Sequence, residues 1–497
     1  MAADAAPASA VPQGPGAAPG LTTAALPLAA ALRAAGWLVA AQALTSGLQF
    51  PLSVLIARYL GAEDYGRWGF ALSFVALLAV LADFGFSTLA LRDLARDWAG
   101  RRLYLGNLML IKVALGALLL ALMALVQPLL TDDPTVRALV YVMGGQALLL
   151  SFSQLLHAVF RVAGRSYLET AVRGAQSLAL FGGALLLMRA GAGPVPLAAV
   201  FLAASGLGCL AAAGLAARLA GATPLRFDPV VQRRLLTDAW PVGLGMALTS
   251  VYYYLDTVLL GLFGHRQAVG WYSAAYVFIT AAALLIAAIR GAFLPYQARL
   301  AHGPAGERSA LLRGYGALTV SLALPVALGG MVAAGPLLSF LFGAEYRPAT
   351  LALQILSLNA GLMFVSSFLG SQLLAGDRQR TYLVGVGAGA VINTVLNVIL
   401  IPLYSLEGAA LATVLAELWV AGFMYWQTRR DMGFSPVEVL WRPAAASCVM
   451  AAVLVVLLTA APVPAAVALS AAAYGAFLVA LGGLAAAPAT PAASQAG

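Results

Sequence analysis

Charge is what this sequence has least of. Only 9% of its 497 residues are Asp, Glu, Lys or Arg, where a soluble domain carries about 25%. Lys112 is the one lysine among 28 basic residues. Cysteine is nearly missing too. Cys209 and Cys448 lie far apart inside apolar runs, which excludes a disulfide framework and a thiolate metal site. His157, His265 and His302 are scattered, so no metal is expected. Asn-x-Ser/Thr does not occur. Connections between apolar runs stay within roughly twenty residues, far short of a folded domain. That excludes an integral enzyme built around a soluble catalytic module, and any function falls to the apolar runs themselves.

Those runs are what the sequence has in quantity: 62% of its residues are hydrophobic. They form about fourteen windows of about twenty residues, the length a helix rising 1.5 Å per residue needs to cross a bilayer core of about 30 Å. The windows open at Gly36, Gly66, Tyr104, Arg137, Tyr167, Val195, Trp240, Val269, Ala317, Ala349, Tyr382, Gly408, Pro443 and Pro464. The fold class is therefore all-α, a polytopic membrane protein with about 14 transmembrane helices. The Ala/Pro/Gly-rich start has no basic stretch ahead of a short apolar core and reads as an uncleaved, disordered tail over 1–30. The expected divisions are an N-lobe over 31–219 and a cytoplasmic linker over 220–237. A C-lobe over 238–427, a further helix pair over 428–486 and a disordered tail over 487–497 complete the chain.

Fourteen spans leave both termini on one side. With that side taken as cytoplasmic, 20 basic residues fall on it and 6 opposite: Arg58, Arg67, Arg137, Arg189, Arg266 and Arg347. Lys112 and Arg173 lie within helices. This bias predicts cytoplasmic termini and accounts for most of the formal charge of +9 without any nucleic-acid partner.

The chain also resembles itself. Leu60-Gly61-Ala62-Glu63-Asp64-Tyr65-Gly66-Arg67-Trp68 matches Phe263 to Tyr272, with Gly66 opposite Gly270. Ala163-Gly164-Arg165-Ser166-Tyr167-Leu168 matches Ala375-Gly376-Asp377-Arg378 and Thr381-Tyr382-Leu383. The spacings are 204 and 212 residues, and six windows separate the partners. Two parallel six-helix lobes plus an extra pair is a transporter plan, with the substrate site expected between the repeats.

Several windows carry a polar stripe. Gln42, Ser46, Gln49 and Ser53 share one helical face, and Gln146, Ser153, His157 and Arg161 another. Glu169 and Arg173 stand one turn apart and also suit an intrahelical ion pair. Asn393 and Asn397 suit interhelical hydrogen bonding as well as a cavity. Lys112 lies about 12 Å into its helix, where it either snorkels to the interface or faces water. Together the stripes predict a water-accessible cavity between the lobes. The candidate substrate-binding residues are Lys112, Arg173, Arg290, Arg161, Gln42, Gln49, Asn393 and Asn397. Candidate ion-coupling residues are Asp256, Asp83 and Glu417, since a carboxylate neutral in one state and ionised in another links lobe movement to a proton gradient. Asp256 also suits a hydrogen bond to neighbouring tyrosines, and Asp83 a structural pairing with an arginine such as Arg92. No nucleophile–base pair, metal spacing or nucleotide motif is present, so neither catalysis nor a cofactor is expected.

Ala57-Arg58-Tyr59-Leu60-Gly61-Ala62-Glu63-Asp64-Tyr65-Gly66 with Ala82-Asp83-Phe84-Gly85 resembles the start of bacterial polysaccharide-biosynthesis oligosaccharide flippases. Asp256, Gly270-Trp271-Tyr272, Leu341-Phe342-Gly343-Ala344-Glu345-Tyr346 and Asn393–Asn397 are similar to the second half. So is Ile401-Pro402-Leu403-Tyr404 with Glu407 to Thr413. These proteins belong to the multidrug/oligosaccharidyl-lipid/polysaccharide exporter superfamily. The resemblance implies transfer of a polyprenyl-diphosphate-linked oligosaccharide across a bacterial plasma membrane by alternating access. It further implies coupling to an H+ or Na+ gradient, contact with membrane lipid, and polymerase or export machinery as partners. In one departure, Tyr404-Ser405-Leu406-Glu407-Gly408 lacks a glycine soon after the tyrosine. The rival readings are a drug/cation antiporter with a carboxylate-led cavity and a membrane polysaccharide polymerase or ligase.

Overall fold

A backbone surrounded by hydrocarbon has to satisfy its own N–H and C=O groups, and uninterrupted apolar runs do so as helices. The computed structural model describes residues 28–221, 225–301 and 303–482. The tails expected over most of 1–30 and over 487–497, together with His302, lie outside these residues. Among the described residues there is no strand. The helices are α1 (Leu28–Asp83), α2 (Phe86–Arg96), α3 (Arg101–Leu130), α4 (Pro134–Val162), α5 (Ser166–Arg189), α6 (Pro194–Ala220) and α7 (Pro229–Leu262). They continue as α8 (Arg266–Leu300), α9 (Ala305–Leu341), α10 (Thr350–Ala375), α11 (Gln379–Thr428), α12 (Pro436–Ala460) and α13 (Val463–Ala480). A 3-10 turn, Ala344–Ala349, precedes α10.

Among the described residues eleven helical stretches are long and apolar enough to cross a membrane, and two of them are too long for one pass. The helix α1 breaks at Gly61 (φ 73, ψ 173) and α11 at Ser405 (φ 51, ψ −126), so each holds two passes. The 34-residue α7 is long enough but more polar. Among the described residues these bring the total to fourteen stretches able to cross, consistent with the about fourteen passes expected. Ser405 occupies the left-handed position at which the sequence departs from the flippase pattern by lacking a glycine.

One boundary is corrected. Residues 229–237, expected in a linker, are already helix. Pro229 starts α7 and the Asp228 carboxylate accepts from Val230 N–H at 2.9 Å and Val231 N–H at 3.2 Å, a strong start signal. The new turn docks on the N-lobe: Asn107 accepts from Asp228 N–H at 2.8 Å, and Arg92 meets Asp238 at 2.9 Å.

Helices α1 to α6 form one lobe and α7 to α11 the other, while α12 and α13 pack against α9. The lobes meet at the arginine-poor end, where α1 lies against α8. A Cβ on Gly66 would sit 2.1 Å from the Arg266 carbonyl oxygen, and one on Gly270 would sit 1.9 Å from that of Ala62, so only glycine permits this approach. The helix break at Gly61 leaves backbone groups without intrahelical partners, and the other lobe supplies them. Glu345 accepts from Ala62 N–H at 2.9 Å, and the Tyr346 hydroxyl donates to the Ala57 carbonyl at 2.7 Å. Asp133 adds a shared carboxylate, 3.0 Å from Arg67 of its own lobe and 3.1 Å from Arg266 of the other.

Candidate functional site

In the N-lobe α1, α2, α4, α5 and α6, with Met246 of α7 from the other lobe, surround a cavity of about 730 Å³. Its polar wall comes from the stripes of α1 and α4, including Gln49, Ser53, Gln146, Ser153 and His157. Its charged corner lies where the turn at Gly164 (φ 69) folds α5 back on α4. There Glu169, 1% exposed, takes both forks of Arg161 at 2.7 Å each. Arg173 stands farther off at 3.5 Å from the same carboxylate and donates to Gln42 at 3.1 Å. The expected Glu169–Arg173 pair is thus the secondary contact, because Arg161 reaches the carboxylate with parallel hydrogen bonds and better geometry. Two guanidinium groups against one carboxylate leave the corner with a surplus positive charge.

Lys112 is corrected. Its side chain is fully buried, donating to Asp83 at 2.6 Å, to the Ser151 hydroxyl at 2.6 Å and to the Ser151 carbonyl at 3.0 Å. It stands behind the cavity wall and neither snorkels nor lines the cavity. Asp83 does line it, taking Lys112 and the Ser87 hydroxyl as partners. The arginine suggested for Asp83, Arg92, bonds Asp93 and Asp238 instead.

A second cavity of about 540 Å³ lies between the lobes. Gln42, Gln49, Tyr65 and Trp68 face Tyr253, Tyr276 and Thr280 across it. Gln49, Ser53, Tyr65, Trp68 and Leu72 line both cavities, which therefore adjoin. A third, of about 390 Å³, is enclosed by the C-lobe and holds Arg290 and Glu417. Glu417, fully internal to the bundle, accepts from the hydroxyls of Tyr252 and Ser366. Sequence reasoning missed Tyr252, Ser366, Tyr65 and Trp68 as cavity residues. The tyrosines and the tryptophan read as ordinary apolar or interfacial positions, and Ser366 carries no periodic signal.

Besides Lys112, three candidates line none of these cavities. Asn393 and Asn397 are fully buried and bond each other within α11 at 3.0 Å, neither across helices nor toward a cavity. Asp256 is likewise fully buried, accepting from Tyr272 at 2.5 Å and Thr257 N–H at 2.7 Å. Its tyrosine partner comes from α8, which packs against it. Among the described residues no group of His, Cys, Asp or Glu could hold a metal.

The model of the polysaccharide biosynthesis protein family matches residues 31–301, the whole N-lobe and the first helices of the second. The chain belongs to that family. It is 27% identical over 191 residues to a protein named for O-antigen transport in Shigella dysenteriae, covering 38% of this chain. The chain spans about half of that relative's length, 47%. It is 23% identical over 382 residues to a protein of Haloferax volcanii named as the low-salt glycan biosynthesis flippase Agl15, covering 75% of this chain and 78% of that one. Among solved structures, the lipid II flippase MurJ in an inward closed conformation superposes with a TM-score of 0.75 at 15% identity, over 89% of this chain and 97% of its own. An inward-facing multidrug transporter of the MATE family shares the fold at a TM-score of 0.63 and 15% identity, over 78% and 94%. The fold is thus that of a transporter, common to flippases and drug exporters.

Proposed function

We propose that this family member flips a polyprenyl-diphosphate-linked oligosaccharide across a bacterial plasma membrane by alternating access of its two lobes. The observation that carries this reading is the cationic corner of the N-lobe cavity. Arg173 keeps donors available and Arg161 lies beside it, in a space of about 730 Å³, within the range of small-molecule sites. Guanidinium groups suit phosphate oxygens. The amides and hydroxyls of α1 and α4 suit sugar hydroxyls, and Tyr65, Trp68, Tyr253 and Tyr276 offer ring faces in the adjoining cavity. The prenyl chain stays in lipid. The arginine bias supports cytoplasmic termini, so the contacts through Gly66, Gly270 and Asp133 close the outer side.

Ion coupling falls best to Glu417, which faces a cavity while Asp256 does not. Polymerase or export machinery would act on the product. Replacing Arg173 by Ala in a strain lacking the native gene tests the whole reading. Loss of surface glycan with accumulation of its lipid-linked precursor is expected, and full restoration of the glycan would overturn it. Glu417, a buried carboxylate among hydroxyls, favours a second reading, a cation/drug antiporter of the same fold. That reading predicts drug sensitivity in the deletion strain with normal glycan.

A further inference from the structure

Away from the transport cavities, the arginine-rich end of the C-lobe encloses a separate space of about 260 Å³. It lies between the ends of α8, α9 and α10 and the turns on either side of α11. Its charged groups are Arg308, Arg378 and Asp431. Arg378 is occupied by the Gln427 carbonyl at 3.0 Å, the Gln427 side chain at 2.8 Å and Asp431 at 3.3 Å. Arg308 is not. It donates once, to the Ala301 carbonyl at 3.1 Å, its buried Nε bonds nothing, and it forms no ion pair among the described residues. Beside it stands Gln297, only 4% exposed, and neither Nε2 nor Oε1 of its amide has a partner among the described residues. The amide of Gln372, near the end of α10, lines the same space and is unpartnered in the same way.

A buried amide without partners is costly. Two of them line this space together with a guanidinium whose Nε is unpartnered, and that donor set fits a tetrahedral oxyanion. The two amide oxygens need donors in return, which a hydroxyl on the ligand supplies. We propose that this space is a phosphate-binding site, separate from transport, for a phosphate group carrying a hydroxyl. The group could belong to a lipid headgroup entering at the membrane boundary or to a soluble phosphate.

The full-length purified protein tests this by thermal unfolding. One arm adds inorganic phosphate against chloride at equal ionic strength. The other compares nanodiscs of phosphatidylglycerol with nanodiscs of phosphatidylcholine. A rise in melting temperature of about 2 °C or more with phosphate points to the soluble source. A rise with phosphatidylglycerol alone points to the lipid. In either case Arg308→Gln and Gln297→Leu should lose the rise. Gln297→Leu also removes an unpaired amide, so its ligand-free melting temperature should increase. This variant carries the test if Arg308→Gln does not fold. No rise in either arm, a rise that both variants keep, or a lower ligand-free melting temperature for Gln297→Leu would each overturn the site and leave water as its occupant.

Discussion

Gly66 and Gly270 stand 204 residues apart at equivalent places in the two halves of the chain, and in the folded protein they face each other across the lobes. A Cβ on either would lie within about 3 Å of the other's backbone nitrogen, 3.2 Å from Gly270 N and 3.1 Å from Gly66 N respectively. The internal repeat therefore ends in a contact between its own two copies.

Gly270→Ala should force that contact apart, since the new methyl group would lie 1.9 Å from the Ala62 carbonyl oxygen and backbone has nowhere to retreat. Ala62→Cys, in a background with Cys209 and Cys448 replaced by Ser, should then react several-fold faster with a maleimide than in the Gly270 parent. Equal labelling rates would show that the helices absorb the methyl group without parting.

Arg173→Ala should lower flipping by about tenfold or more, the worth of a charge-assisted hydrogen bond, with little change in stability, because its contact with Glu169 is only 3.5 Å. Arg161→Ala should cost stability as well, since Glu169 then loses its two-pronged partner within the bundle. Flux of a fluorescent lipid-linked sugar in vesicles and a thermal unfolding curve separate the two outcomes.

Lys112→Met should destabilise the protein by about 3–5 kcal/mol by stranding the Asp83 carboxylate. Adding Asp83→Asn should recover much of that loss. If Lys112→Met instead leaves stability unchanged and abolishes transport, the lysine meets substrate during the cycle and its role here as a wall residue is incomplete.

Asp133 lies in the connection before α4, outside the spans. Burial works to raise its pKa, but hydrogen bonds from Arg67 and from the N–H groups of Val136 and Thr135, with the Arg67 charge, outweigh it. The value ends below the ordinary 3.8. A depressed folded value gives stability that is present above 3.8 and lost as pH falls through the lower folded value. The contact with Arg266 should therefore be indifferent to pH between about 7 and 5 and loosen only below about 4. Asp133→Asn should loosen it at neutral pH, read by the same Ala62→Cys labelling.

Ser405→Gly should raise stability by about 0.5–1 kcal/mol. The left-handed position costs a residue with a Cβ about 1–2 kcal/mol, and part of the relief is lost to the freer unfolded chain. A lower melting temperature would mean that the serine side chain repays the strain in a way its geometry does not reveal.

Class, approximate number of passes, separation of arginines between the two ends and the equivalence of Gly66 and Gly270 in the repeat were legible in the sequence, because each depends on length, apolarity or local spacing; that the two glycines touch was not. The missing glycine at Ser405 was legible too, as a departure whose meaning became clear once the chain was seen to turn there with φ 51. Which polar residues meet the cavities was not. Helical periodicity tells which side chains share a face, yet not which neighbour that face turns toward. Lys112, Asp256, Asn393 and Asn397 sit on polar faces that other helices cover, whereas Arg161, Arg173, Arg290 and Glu417 sit on faces left open. The choice of Arg161 over Arg173 as the main partner of Glu169 likewise depends on a turn that brings two helices side by side. Only packing between helices decides such matters, because in a bundle with so few charges a single neighbouring helix determines whether a polar group meets a partner, a cavity or nothing.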